Sequence, residues 1–167
     1  FGPVPVIAVL HGAVVGGGLE LASAAHLRVA EASAFYGLPE GTRGIFVGGG
    51  GSVRISRLLG TARMTDMMLT GRVFDATDGQ AFGVSNYLVA DGQGLVKALE
   101  LAEKIAGNAP LSNFAITQAL PRIADLPAAD GLFVEALMAS IAQGDEAAKE
   151  RVRAFLEKRA EKVQKSS

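Results

Sequence analysis

The sequence predicts an α/β fold class for the first half of the chain and helices for most of the second half. An apolar, β-branched run at residues 4–10 has no polar face, which is typical of a strand covered on both sides. Three glycines at 16–18 follow shortly afterwards and indicate a turn into a short helix. From Leu95 onward nearly every segment has helical periodicity. The chain therefore combines an α/β core with a helical region.

Short apolar segments separated by turn residues predict the elements in order. After the first strand we expect a helix over 16–25, followed by strands at 27–30 and 34–36. A glycine-rich loop is expected at 41–51. The remaining predictions are helices at 52–59, 62–69 and from Asp75 to Gly83, a strand at 84–89, and helices at 95–106, 111–120, 130–142 and 146–162.

Composition excludes several classes of protein. The formal net charge of the 167-residue chain is −1, so no overall basic field favours nucleic-acid binding. The absence of cysteine excludes disulfides and a thiolate zinc site, and it fits a reducing, cytoplasmic compartment. No apolar run reaches the roughly 18–20 residues that span a bilayer. We therefore expect neither a nucleic-acid nor a membrane partner.

The glycine run Gly16-Gly17-Gly18 is the first candidate for a binding site. Consecutive glycines at a strand-to-helix junction leave N–H groups unshielded, and the helix N-terminus adds partial positive charge. Such a place can hold a phosphate or an oxyanion, whereas the alternative is a tight turn that only needs positive φ angles. A dinucleotide fingerprint is disfavoured, because Leu21 stands where its third glycine belongs.

Two acidic residues, Glu20 and Glu40, lie in apolar, glycine-rich surroundings. An acid in the first turn of a helix is commonly there because it interacts favourably with the helix dipole, and an acid in a loop is commonly only solvated. The two could instead share a site for general acid–base chemistry, since partial burial lets one carboxyl keep its proton near neutral pH. Spacing alone leaves both interpretations open.

Other residues give weaker indications. Neither His11 nor His26 has a second histidine at ligand spacing, so no metal site is predicted. Ser23 lacks the surroundings of a nucleophile elbow. Met64, Met67 and Met68 are expected in the core. The basic tail at 158–162 is expected to be a solvated helix face, with phosphate binding as the alternative.

Four sequence elements together are typical of one family. They are P-V-I-A-V-L-H-G at 5–12 with G-G-G-L-E-L-A at 16–22, Y-G-L-P-E at 36–40, T-G at 70–71 followed by residues 76–84, and F-L-E-K-R at 155–159. On these elements the chain resembles the enoyl-CoA hydratase/isomerase (crotonase) superfamily from about Pro3 to Val163.

The resemblance implies a ClpP/crotonase-like fold, a spiral of ββα turns followed by a helical trimerisation region. Residues 1–90 would be the C-terminal part of the spiral core and carry the active site. Residues 91–167 would form the region for oligomerisation and CoA contact, in a homotrimer or a hexamer of two trimers. By comparison with the family, the N-terminal third is missing. We therefore expect a chain that begins inside a larger protein.

The resemblance also implies an oxyanion hole of two backbone N–H groups that polarises a thioester carbonyl. One donor maps onto Gly17, and the other lies in an A-G-x-D segment that this chain lacks. Glu20 and Glu40 would hold a water between them, with Glu20 activating it and Glu40 delivering a proton. Gly48 falls where a family N–H helps place that water.

Phe155 and Lys158 match family positions that contact the adenosine and phosphate of CoA, often across a subunit boundary. The expected activity is hydration of a 2-enoyl-CoA thioester, as in fatty-acid metabolism, with no cofactor apart from the CoA of the substrate. A freer loop at 45–54 and the apolar Leu38 depart from the common hydratase pattern. They leave open an isomerase, another crotonase-type acyl-CoA lyase, and a non-catalytic CoA-binding homologue or fragment.

Overall fold

The computed structural model describes residues 4–159, which form two compact units. The first comprises residues 5–104, and the second comprises residues from 105 onward together with Val4. The division at residues 90 and 91 that the sequence suggests concerns function, and it stays a prediction.

Two small sheets lie at the centre of the first unit. One is parallel, with β3 (Leu27–Glu31) between β1 (Ile7–Leu10) and β6 (Tyr87–Val89). The other has β4 (Phe35–Gly37) between β2 (Ala13–Val15), which is parallel to it, and β5 (Val73–Asp75), which is antiparallel. β2 and β5 were not predicted from the sequence.

Helices connect and cover these strands. They are α1 (Gly17–Ala22), α2 (Gly51–Leu59), α3 (Thr61–Thr70), α4 (Ala76–Ala81) and α5 (Gly94–Ala106), with a 3₁₀ turn at Gly41–Arg43. Gly60 and Gly71 end α2 and α3 with φ angles of 87° and 74°, a region that favours glycine. The Asp75 side chain caps α4 by accepting from the Asp78 N–H at 2.8 Å. The predicted bounds of α2, α3 and α4 agree closely with these, whereas the helix predicted over 16–25 ends at Ala22.

One apolar core joins the second sheet to α1, α2 and α3. The largest of its fully buried side chains include Tyr36, Phe74, Leu19, Leu38, Ile55, Leu59 and Met67. Met64 also lies in this core and Met68 packs against it, as predicted. A smaller cluster forms around Val29, where Ala98 and Leu101 of α5 pack on the first sheet. The core fixes the strand ends from which the candidate site is built.

The second unit is helical. It contains α6 (Pro110–Phe114), a π turn (Ala115–Ala119), α7 (Leu120–Ile123), α8 (Ala128–Gly144) and α9 (Glu146–Leu156). The single helix predicted at 111–120 is interrupted because Pro121 has no N–H for the carbonyl four residues earlier. The helix predicted at 146–162 ends at Leu156, and its residues 160–162 lie outside the described residues.

Candidate active site

Glu20 is presented by a tight turn between β2 and α1. Gly16 makes this turn with a φ of 56°, and its N–H donates to the Gly37 carbonyl of β4 at 3.0 Å. The Glu20 N–H donates to the Gly16 carbonyl at 3.0 Å and begins the helix. The acid is thereby carried in the first turn of α1, where it is 7% exposed.

Two backbone N–H groups hold the Glu20 carboxylate. Its Oε1 accepts from the Gly49 N–H at 2.7 Å and from the Gly51 N–H at 2.9 Å. A Cβ at Gly49 would lie 3.2 Å from the carboxylate carbon, and one at Gly51 would lie 2.8 Å from Oε1. The glycines therefore permit the approach of the acid. Both of these hydrogen bonds go to Oε1, and neither goes to Oε2.

Glu40 is a second buried acid beside the same turn. It follows β4 and the buried Leu38, and it is 6% exposed. Its Oε1 lies 3.0 Å from the place that a Cβ at Gly16 would occupy, while its buried Oε2 has no hydrogen-bond partner within residues 4–159. A buried carboxyl oxygen without a partner is costly, and such groups often mark functional sites.

The pairing of β2 with β4 explains how the two acids come together. The strands are parallel, with Val15 opposite Gly37, so both chains leave the sheet at the same edge. Gly16 and α1 follow one strand, and Leu38 to Glu40 follow the other. Both carboxylates thus adjoin the N-terminus of α1, as the shared-site interpretation requires. The pair can accept and donate protons on a ligand placed there.

Gly17 and Gly48 are the other two predicted residues near this turn. Gly17 is exposed at the first position of α1, where its N–H has no acceptor within the helix. Gly48 is exposed, and nothing lies within 4 Å of a Cβ built at either residue. Their roles as oxyanion donor and water-placing group remain predictions.

Gly49 and Gly51 are residues of the candidate site that were not predicted. The glycine cluster at 48–51 was expected to be a freer loop, whereas two of its N–H groups donate to Glu20. The available signal was the cluster itself, because adjacent glycines often let another chain segment approach closely.

The predicted CoA contacts lie in the second unit. Phe155 belongs to α9 and is 71% exposed, and Lys158 follows the helix with a φ of 59°. Both residues are exposed and thus accessible to a ligand, and their roles in CoA contact stay predictions.

Within the described residues we looked for a metal-binding group and for a membrane-spanning helix. Residues 4–159 contain no group of three or more His, Cys, Asp or Glu side chains arranged for a metal ion. None of the described helices is long and apolar enough to cross a bilayer. His26 accepts a hydrogen bond from the Val6 N–H through Nδ1 at 2.9 Å, which is a structural role.

Comparison of the sequence with models of known protein families shows which family this chain belongs to. The model of the enoyl-CoA hydratase/isomerase family matches residues 2–165 of this chain. The chain belongs to the enoyl-CoA hydratase/isomerase (crotonase) family. The predicted family is thereby confirmed.

Solved structures confirm the crotonase fold with C-terminal helices. A protein of Rhodopseudomonas palustris, provisionally named an enoyl-CoA hydratase, is 63% identical with a TM-score of 0.89, over 93% of this chain and 60% of that one. An enoyl-CoA hydratase from Bacillus anthracis is 35% identical with a TM-score of 0.88, over 94% and 61%.

Curated relatives are longer than this chain. Enoyl-CoA hydratase EchA19 of Mycobacterium tuberculosis is 34% identical over 96% of this chain and 60% of its own length. The mouse enoyl-CoA hydratase domain-containing protein 2 is 37% identical over 96% of this chain and 55% of its own. The chain thus spans between half and two thirds of these relatives. The mouse protein is named as mitochondrial, so the cytoplasmic location expected for this chain stays a prediction.

Proposed function

We propose that this chain carries the acid–base residues of an enoyl-CoA hydratase, which adds water to a 2-enoyl-CoA thioester in the syn sense. One observation carries the proposal. Two buried carboxylates, Glu20 and Glu40, adjoin the same helix turn, and Glu40 Oε2 has no hydrogen-bond partner within residues 4–159. The hydratase names of relatives at 34–35% identity support it.

In the proposed reaction the two acids act at neighbouring carbons. The Glu20 carboxylate takes a proton from water while the oxygen of that water bonds to the β-carbon of the enoyl group. The carbon–carbon π electrons shift toward the thioester oxygen and form an enolate. Glu40, in its carboxylic-acid form, then donates a proton to the α-carbon. Solvent exchange returns both acids to their starting states, and the net change is the addition of one water.

The enolate oxygen needs hydrogen-bond donors. Gly17 would supply one backbone N–H, and the partial positive charge of the α1 N-terminus would assist it. The family's second donor would come from the A-G-x-D segment. Removing one such donor costs other enzymes about 2.7–4 kcal/mol, so this chain acting without that segment would be strongly impaired. A non-catalytic CoA-binding role is the corresponding alternative.

Double-bond isomerisation and other lyase reactions use the same enolate but need no added water. An isomerase can work by moving one proton between two carbons with a single acid–base group. The presence of two buried acids beside the same helix turn favours hydration, which needs one group at each carbon. Isomerisation is therefore the second choice and becomes an outcome of the experiment below.

The remaining features of the proposal concern CoA and assembly. Phe155 and Lys158 would contact the adenosine and phosphate groups of CoA, and the helical unit would join copies into a trimer or a hexamer. Exposed apolar side chains on α8 support an association surface: Leu132, Phe133, Leu137 and Ile141 are each 48–66% exposed.

Glutamine variants test the proposed pair. We expect Glu20→Gln and Glu40→Gln each to lower kcat for crotonyl-CoA hydration by about 10²–10⁴-fold, because glutamine keeps the size but cannot exchange the proton. Hydration is followed by the loss of the enoyl absorbance, with the product identified by mass spectrometry.

Circular dichroism and acyl-CoA binding serve as controls for folding and for substrate affinity. Wild-type rates in a folded glutamine variant would overturn the assignment of that acid. Turnover without added water would instead support an isomerase.

A further inference from the structure

The guanidinium group of Arg54, on α2, joins the two segments that meet at Glu20. Its Nη2 donates to the Glu20 carbonyl at 3.1 Å and, through a shorter bond, to the Gly49 carbonyl. Its Nε donates to Ser23 Oγ at 3.2 Å. One side chain thus contacts the helix turn that carries the acid and the glycine segment that binds the carboxylate.

Ser23 and Gly50 complete this arrangement. The buried Ser23 hydroxyl donates to the Glu20 carbonyl at 2.6 Å, so it links Arg54 to the same turn a second time. A Cβ at Gly50 would lie 2.4 Å from Nη1 of Arg54, and Gly50 has a φ of 87°. Glycine at 50 therefore makes room for the guanidinium, just as glycine at 49 and 51 makes room for the carboxylate.

We propose that Arg54 is a positioning residue that holds the segment Gly48–Gly51 in place, so that the N–H groups of Gly49 and Gly51 fix Glu20 Oε1. Consecutive glycines have large conformational freedom, and their N–H groups face Glu20 only if the segment is held. A planar guanidinium with several donors can bind acceptors on both segments at once. The consequence for catalysis rests on the proposed function, whereas the fixing of the segment does not.

Amide hydrogen exchange tests the fixing directly and needs no activity. In Arg54→Met we expect the Gly49 and Gly51 amides to exchange about tenfold faster or more, because the bonds that hold the segment are lost. The Val29 amide in the first sheet should keep its rate. Arg63→Met is the matched control, since Arg63 also donates to a backbone carbonyl, that of Leu59 at 3.0 Å, without contact to Glu20.

Arg54→Lys keeps the charge and the stem but not the fork, so it serves as the second variant if Arg54→Met does not fold. We expect it to give exchange rates between those of the wild type and of Arg54→Met. Unchanged exchange at Gly49 and Gly51 in a folded Arg54 variant, or the same acceleration in Arg63→Met, would overturn the proposal.

Kinetics separates this proposal from the proposed function. In an active wild type, Arg54→Met should lower kcat about tenfold or more while KM changes little, and lysine should restore part of kcat. A fall in stability alone, with kcat unchanged in the folded fraction, would contradict positioning. If the wild type hydrates no enoyl-CoA, the proposed function fails, and amide exchange still decides the role of Arg54.

Discussion

At the scale of single residues, the positions around Glu20 and Glu40 require glycine for different stereochemical reasons. Gly16 adopts a positive φ and leaves room for Glu40 Oε1 at 3.0 Å. Gly49 and Gly51 leave room for the Glu20 carboxylate that their N–H groups bind. Gly48 is different, because its position leaves open space for a side chain. Alanine substitutions should therefore give graded effects.

We expect Gly51→Ala to lower kcat strongly, since its Cβ would lie 2.8 Å from Oε1 and Cγ of Glu20 and displace the acid. Gly48→Ala keeps its N–H and meets no atom within 4 Å, so its effect should be much smaller. Steady-state hydration by the two variants checks this order. Equal losses in both would mean that crowding at Glu20 is not the cause.

His26 gives a prediction for the pH dependence of stability. Burial lowers its pKa, assisted by the positive charge of Arg28. The unfolded chain therefore binds a proton more readily, and stability should fall as pH drops below about 6.5 toward the lower folded value. Protonation would also remove the acceptor of the Val6 N–H.

In His26→Asn this part of the pH dependence should disappear, because the asparagine Oδ1 can replace Nδ1 as acceptor of the Val6 N–H without titrating. Urea unfolding of both proteins at several pH values between 5 and 8 measures it. An unchanged difference between wild type and variant across that range would contradict the prediction.

The sequence predicted the two acids and their family roles but not the groups that hold Glu20. Glu20 and Glu40 are recognisable because their motifs are local and contiguous. The bonds from Gly49 and Gly51 to Glu20 join residues 29 and 31 positions apart, and they depend on how α1 and α2 pack. Nothing in local composition specifies such a contact.

At the scale of elements, short strands decide where the site lies. The strands β2 and β5 were not predicted, because they directly adjoin the glycine run at 16–18 and the helix start at Asp75, and they are stabilised by pairing with β4. Yet the β2–β4 pairing aligns Gly16 with the chain that leads to Glu40. Long helices were easier to predict, because their periodicity and end signals are local.

The packing of α4 against β4 leaves no room for a side chain at Gly79. A Cβ there would lie 2.1 Å from the ring of the fully buried Tyr36. We expect Gly79→Ala to lower the free energy of unfolding by about 1–3 kcal/mol through overpacking, measured by urea denaturation. Gly144→Ala, which meets nothing within 4 Å at the end of α8, is the control. Equal stability of the two variants would contradict the packing argument.

At the scale of the whole molecule, the helical second unit leaves several large apolar side chains exposed to solvent. Leu132 and Phe133 on α8 and Phe155 and Leu156 on α9 are each at least 64% exposed. If this surface joins copies into a trimer, light scattering should give a trimeric or hexameric mass, and Phe133→Glu should reduce it. A monomer in the wild type at all concentrations would contradict the trimer proposal.

The helices of this unit were predicted from the sequence. The periodicity of one chain does not indicate which helix face would contact another copy.

The central claim is that Glu20 and Glu40 add water across the double bond of an enoyl-CoA. Incubation of the full chain with crotonyl-CoA in oxygen-18-labelled water tests it most directly, with the product analysed by mass spectrometry. Our account predicts a 3-hydroxyacyl-CoA that carries the labelled oxygen at the β-carbon, and loss of this product in Glu20→Gln and Glu40→Gln. A product of unchanged mass with a moved double bond, or equal labelling by the glutamine variants, would contradict it.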